Sequence, residues 1–185
     1  MKDTTVSAEV WFREFTRLYV EAATTSESEI ALSVDDDHSA EWTAVMGLFL
    51  RRMARKLGYR QTWERPVDVG TKRPRKLDYA WTDSNGSLAL AIEHHSWYSD
   101  AEKYSDKIIT ILMARAPLGV LITYVPSRES RVTEDVRKGI EGMLRVGNPG
   151  EFLLVLADLK ASPTNPWWAY TWNSDSRTLR LIDLT

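Results

Sequence analysis

The chain contains no cysteine. That absence excludes disulfides, a thiol nucleophile and any zinc site built on thiolates. Histidine is also scarce, at three residues, which leaves little for a structural zinc centre. No apolar run approaches the roughly 18 residues of a membrane span, and MKDTTVSAEVWFREF at the N-terminus lacks the apolar core of a signal peptide. The expectation is a cytoplasmic protein in a reducing setting, with no membrane partner. There is no low-complexity tract or internal repeat, and the 43% hydrophobic and 27% charged content of 185 residues is that of an ordinary folded domain. The chain is read as a single domain over 1–185: an N-terminal helix and acidic loop (1–38), a core (40–160) and a C-terminal hairpin (166–185).

Net charge is also small, at −2, which taken alone argues against a polyanionic partner. The distribution shows otherwise. Residues 1–50 carry −7, residues 51–76 carry +8 and the remainder carries −3. Local charge governs contact with a polyanion. Arg51, Arg55, Lys72, Arg73, Arg75 and Lys76 are therefore the candidate nucleic-acid contacts, with a solvated helix face and a basic loop as the ordinary alternative.

Periodicity predicts helices over about 8–23, 40–57, 100–115 and 133–146. Strands are predicted at Arg60–Val67, Lys76–Thr82, Leu88–His95, Leu118–Val125, Phe152–Ala157, Trp167–Trp172 and Thr178–Leu184. Gly58 is placed to end the second helix. Asp83-Ser84-Asn85-Gly86 reads as a turn between strands. The order ααβββαβαβββ predicts a mixed sheet with helices on both faces. Trp42, Trp63 and Trp81 are expected in the core. Trp97 and Tyr98 are candidates to line a cleft, and the tryptophans of the terminal hairpin could form a partner surface.

Strand parity singles out the chemistry. Asp78 shares a strand face with Ala80, and Glu93 shares one with Ala91. A hairpin would set the two acids side by side, 15 positions apart. Two adjacent carboxylates repel unless a cation lies between them, and hard oxygen ligands suit Mg²⁺ or Mn²⁺. His95 falls on the Glu93 face and His94 on the opposite one. Glu93 with His95 could also serve as an acid–base pair in an enzyme unrelated to nucleic acid. His38, in Asp35-Asp36-Asp37-His38, reads as part of an acidic capping loop.

Glu41 in the first core helix, Lys76-Leu77-Asp78-Tyr79 in the second strand and Ile92-Glu93-His94-His95 in the third resemble the PD-(D/E)xK nuclease superfamily over roughly residues 40–160. The resemblance implies a restriction-endonuclease-like fold with an αβββαβ core. It implies a metal-dependent nuclease cutting phosphodiester bonds of double-stranded DNA, as a homodimer or within a larger nuclease complex. Asp78, Glu93 and the backbone carbonyl of His94 would hold the Mg²⁺ or Mn²⁺, with Glu41 as an auxiliary acid. The family's lysine falls at His95, so the activating group would be His95 itself, or Lys107 (or Lys103) on the following helix, or Lys76. The alternative is an inactive nuclease-fold subunit acting through protein or nucleic-acid contacts.

Overall fold

The computed structural model describes residues 6–24, 39–67, 75–95, 101–147, 149–158 and 166–183, with the side chains of 23–24, 39–43 and 101–103 left outside that description. His38, Lys72, Arg73, Trp97 and Tyr98 lie outside the described residues, and Trp42 and Glu41 are described in backbone only.

Four helices and seven strands follow in the expected order: α1 (Ala8–Thr24), α2 (Ser39–Lys56), β1 (Arg60–Val67), β2 (Arg75–Thr82), β3 (Leu88–His95), α3 (Ala101–Ala114), β4 (Leu118–Val125), α4 (Arg131–Gly147), β5 (Glu151–Asp158), β6 (Trp167–Asn173) and β7 (Thr178–Leu181). Local chemistry sets their limits. Gly58, at φ 82°, ends α2, with the Tyr59 N–H returning to the Ala54 carbonyl at 2.8 Å. This is the closure a residue without a Cβ permits at a helix end. In the β2–β3 turn, Gly86 also takes φ 82°. The Asp83 carboxylate accepts the backbone N–H groups of Asn85 and Ser87, both at 2.9 Å.

All seven strands form one sheet, in sequence order. β1–β2–β3 and β5–β6–β7 are antiparallel meanders, and β3–β4–β5 is parallel. The parallel centre is linked by α3 and α4, since parallel neighbours need crossover connections. β4 is buried along its whole length, as expected of a strand covered on both faces. α1 and α2 pack through Trp11, Phe15, Phe49 and Met53 onto Tyr79, Trp81, Leu90 and Ile92. α3 and α4 pack through Tyr104, Ile108, Ile140 and Leu144 onto Ala80, Ala91, Leu121 and Leu154. The mixed, doubly covered sheet is therefore as the periodicities imply.

One expected core residue is misplaced. Trp63 is 43% exposed. β1 is the edge strand, and Trp63 lies across Gly47 of α2, where an added Cβ would come within 2.0 Å of the indole. The ring caps the layer rather than filling it. No described helix is long and apolar enough to cross a membrane.

Candidate active site

The register Tyr79↔Ile92 and Ala80↔Ala91 in the β2–β3 pair brings Asp78 beside Glu93. The small Ala80 and Ala91 on this face leave room for α3 to approach. Tyr104, Ile108 and Ile111 of α3 are buried in that layer. Lys107, one residue before Ile108, then reaches the two acids. Its ammonium stands 2.6 Å from Asp78 Oδ2 and 2.6 Å from Glu93 Oε2. The two oxygens sharing that ammonium are thus within about 5 Å of each other.

The three groups differ in access to water. Glu93 is fully buried, whereas the side chains of Asp78 and Lys107 are 30% and 26% exposed. Asp78 Oδ2 also accepts the backbone N–H of His94 at 2.9 Å. Glu93 is less well satisfied. Its contact with Lys107 is an ion pair without the alignment of a hydrogen bond, and neither of its oxygens is hydrogen-bonded. Burial, then repulsion from Asp78, pushes its carboxyl up to about pH 9, against the opposing pull of Lys107. Lys107 moves the other way for an ammonium in a protein interior. Burial alone would lower it, but Glu93 and Asp78 outweigh burial and hold it above its ordinary value. At neutral pH the cluster therefore holds a proton on Glu93 beside a charged Lys107.

This has a consequence for stability with a definite sign. Below about pH 4.5 Glu93 is protonated whether the chain is folded or not. Between about 4.5 and 9 the unfolded chain releases that proton while the folded chain keeps it, so stability falls as pH rises through this window. Glu93→Gln, a neutral isostere, is expected to flatten the fall and to raise the thermal midpoint at pH 8 relative to wild type. Thermal melts at pH 5, 6.5 and 8 check this, and an unchanged slope in the variant would contradict it.

The two histidines point to opposite faces, as strand parity requires. His94 is buried against Tyr124, its Nε2 3.0 Å from the phenolic oxygen, and burial lowers its pKa to about 4. His95 is buried on the Glu93 face, with its ring edge-on to Tyr104 at 4.7 Å between centroids. Tyr104 Oη in turn accepts a hydrogen bond from Thr123 at 3.2 Å. Tyr104 was not a sequence candidate, although its place one turn before Lys107 on the same helix could have suggested it.

The structure thus brings together Asp78, Glu93 and Lys107. Among the described residues it does not gather the basic candidates around them. Arg51 and Arg55 are exposed on α2, the helix that covers the other face of the sheet. Arg75 is taken up by Asp106, at 3.0 and 2.9 Å, and Lys76 by Glu64 at 2.8 Å. It is the N–H of His94 that addresses Asp78, where the resemblance put its carbonyl on a metal.

Asp78 and Glu93 offer the hard oxygen donors that Mg²⁺ or Mn²⁺ takes, and the Lys107 ammonium lies between them, 2.6 Å from each. Among the described residues no group of three metal-ligating side chains comes together.

No family model and no curated protein matches the chain. Among solved structures, a carbon–nitrogen hydrolase from Helicobacter pylori G27 matches with a TM-score of 0.44 and 8% identity, over 96% of this chain and 81% of that one. At that TM-score the likeness assigns this chain no activity. No comparison supports the expected PD-(D/E)xK resemblance, and that resemblance and the nuclease activity, including the inactive nuclease-fold alternative, are corrected. Of the expected fold, the mixed α/β sheet flanked by helices is found and the restriction-endonuclease-like arrangement is not confirmed. The physical reason is that the motif is short. An acid on each of two paired strands defines a hairpin with a polar patch, which many α/β folds can carry.

Proposed function

We propose that the chain is a hydrolase whose reacting groups are Glu93, Asp78 and Lys107. The observation that carries this reading is the fully buried Glu93 carboxyl, unsatisfied by hydrogen bonds, beside a second carboxylate that water can reach. Burying such a group is costly, and perturbed carboxyls of this kind concentrate at reactive sites. Environments that set two neighbouring carboxyls apart divide them into acid and base.

The roles follow from access and protonation. Asp78, partly exposed, is the base that takes a proton from the attacking water. Glu93, which keeps its proton to about pH 9, is the acid that donates to the leaving group. The Lys107 ammonium holds both carboxyls in place and faces negative charge as it develops in the transition state. The location agrees with this use. Glu93 lies near the carboxyl end of β3, beside parallel β4, and ligands of open α/β sheets bind outside the carboxyl ends of their strands.

The test is a panel of chromogenic esters, amides, glycosides and phosphomonoesters, assayed with wild type, Asp78→Asn and Glu93→Gln. Wild type is expected to turn over one class, and each variant to lose about 100-fold or more of kcat/KM, the usual scale of general acid–base catalysis. Activity with an intact acid should decline above about pH 9, where Glu93 loses its proton. No turnover of any class, or full activity in both variants, would overturn the assignment.

A further inference from the structure

Arg75 opens β2, three residues before Asp78. Its guanidinium crosses to α3 and meets Asp106, the residue before Lys107. Nη1 donates to the Asp106 carboxylate at 3.0 Å and to the Asp106 backbone carbonyl at 3.1 Å. Nη2 donates to the same carboxylate oxygen at 2.9 Å. That carbonyl also accepts the hydroxyl of Thr110, buried one turn further along the helix, at 2.8 Å. Arg75 with Asp106, and Asp78 with Lys107, thus tie β2 to α3 at successive helix positions.

These links add what apolar contact lacks. Tyr104, Ile108 and Ile111 seat α3 on the sheet by burial, which is non-directional and does not by itself fix the roll of the helix. Asp106 and Lys107 leave the helix about 100° apart, while Arg75 and Asp78 start about 10 Å apart along the strand. A roll or slide of α3 that preserves one link strains the other. The signs are also crossed. β2 supplies a cation and then an acid, and α3 supplies an acid and then a cation. A helix displaced so that Asp106 approaches Asp78, or Lys107 approaches Arg75, sets like charges together. The outer link adds little to stability, since Asp106 is 69% and Arg75 34% exposed. Its planar fork is nevertheless directional, so its use is geometric.

We infer that Arg75 is a positioning residue of the candidate site: its fork on Asp106 fixes the roll of α3 and so places the Lys107 ammonium between Asp78 and Glu93. Arg75 acts through Lys107 rather than on the acids, for the charges that perturb the Glu93 carboxyl are those of Asp78 and Lys107. Its bearing on catalysis rests on the hydrolase reading, whereas its hold on Lys107 does not.

The Lys107 ammonium is followed in the full native chain by heteronuclear NMR of isotopically labelled lysine side chains in the cold, its signal assigned by its absence from Lys107→Arg. Held by two carboxylates, its protons exchange slowly with water. Arg75→Ala is expected to speed that exchange about 10-fold, the scale of one lost hydrogen bond. The urea midpoint should hardly move, because the outer pair is exposed. Arg75→Lys, which keeps the charge without the fork, should fall between wild type and alanine. Lys76→Ala is the control. It removes the next cation of β2, whose partner Glu64 stands on β1 rather than α3, and should leave the ammonium signal as in wild type. With a substrate that is turned over, Arg75→Ala should also lower kcat about 10-fold at unchanged KM, as misplacement of a reacting group does. Unchanged exchange in Arg75→Ala would overturn the inference. So would equal acceleration in Lys76→Ala, or a fall in the urea midpoint large enough to account for the faster exchange. These readings need no substrate, so they stand or fall separately from the hydrolase activity, and an unchanged kcat would overturn only the bearing on catalysis.

Discussion

Lys107→Ala is expected to destabilise the chain by about 3 kcal/mol at neutral pH, the lower end of what removing one partner of a buried ion pair costs. The ammonium serves two acids at once, at 2.6 Å each. Without it, the Asp78 carboxylate keeps only the His94 N–H and faces the protonated Glu93 with no cation between them. The deficit should also depend on pH in a specified direction. Lys107 is what holds the Glu93 pKa down near 9, against burial and Asp78. Its removal raises that pKa further, so the loss of stability that begins near pH 4.5 extends to higher pH. The gap between wild type and variant is therefore larger at pH 9 than at pH 5. Urea unfolding at both values measures it. Adding Glu93→Gln to Lys107→Ala should recover part of the loss, because glutamine has no proton for the unfolded chain to release above about pH 4.5. The non-additivity of that double-mutant cycle reports the coupling directly. A deficit independent of pH, or full additivity, would show that Lys107 acts only through its packing.

Trp81→Ala is expected to cost more, about 3–5 kcal/mol. Trp81 is completely buried and sits between Trp11, at 6.0 Å, and Tyr59, at 5.9 Å. Its indole N–H donates to Gln61 at 2.9 Å, and Gln61 in turn donates to the Gly47 carbonyl at 3.0 Å. Alanine leaves a cavity between β2, α1 and α2 and removes the hydrogen bond that orients Gln61. Against a usual net stability of about 5–15 kcal/mol, such a loss lowers the urea midpoint by a large fraction. Trp81→Phe, which refills most of the space, should lose clearly less. Trp63→Ala is the informative contrast. Trp63 is a tryptophan on the neighbouring strand, but a largely exposed one, so its truncation should cost much less than Trp81→Ala. Equal effects would mean that the α1–α2 layer is not packed around Trp81.

The two tryptophans show where sequence reading succeeds and where it stops. Both stand on strands that were found with their limits nearly intact, since alternation and turn chemistry are local. Asp83-Ser84-Asn85-Gly86 makes its turn through its own backbone and the Asp83 carboxylate, without help from distant residues. Which strand becomes the edge is different. It depends on the complete strand order, and Trp63 is exposed because among the described residues no strand pairs beyond β1. Gly47 gives the same lesson: its closeness to Trp63 has no local signature.

The candidate site divides in the same way. Period-two alternation and the hairpin placed Asp78 and Glu93 on one face, with alanines before and after them, and this needed only neighbouring residues. Lys107 was one of four groups considered for the activating position, beside His95, Lys103 and Lys76. Three-dimensional packing selected it. α3 settles on Ala80 and Ala91 through Ile108 and Tyr104, and that single contact decides which lysine meets the acids. The same packing turned His95 against Tyr104 and committed Arg75 and Lys76 to Asp106 and Glu64. It also put the Arg51 and Arg55 helix on the far face of the sheet.

The sequence by itself therefore determined the order and kind of the elements, the doubly covered mixed sheet and the pairing of Asp78 with Glu93. All of these follow from periodicity and turn chemistry over a few residues. Only the tertiary structure decided that Lys107 meets those two acids, and that the described basic residues Arg51, Arg55, Arg75 and Lys76 are placed elsewhere or paired with other acids. Those outcomes depend on which helix face meets which sheet face, a choice made by long-range burial of apolar surface that no local pattern encodes.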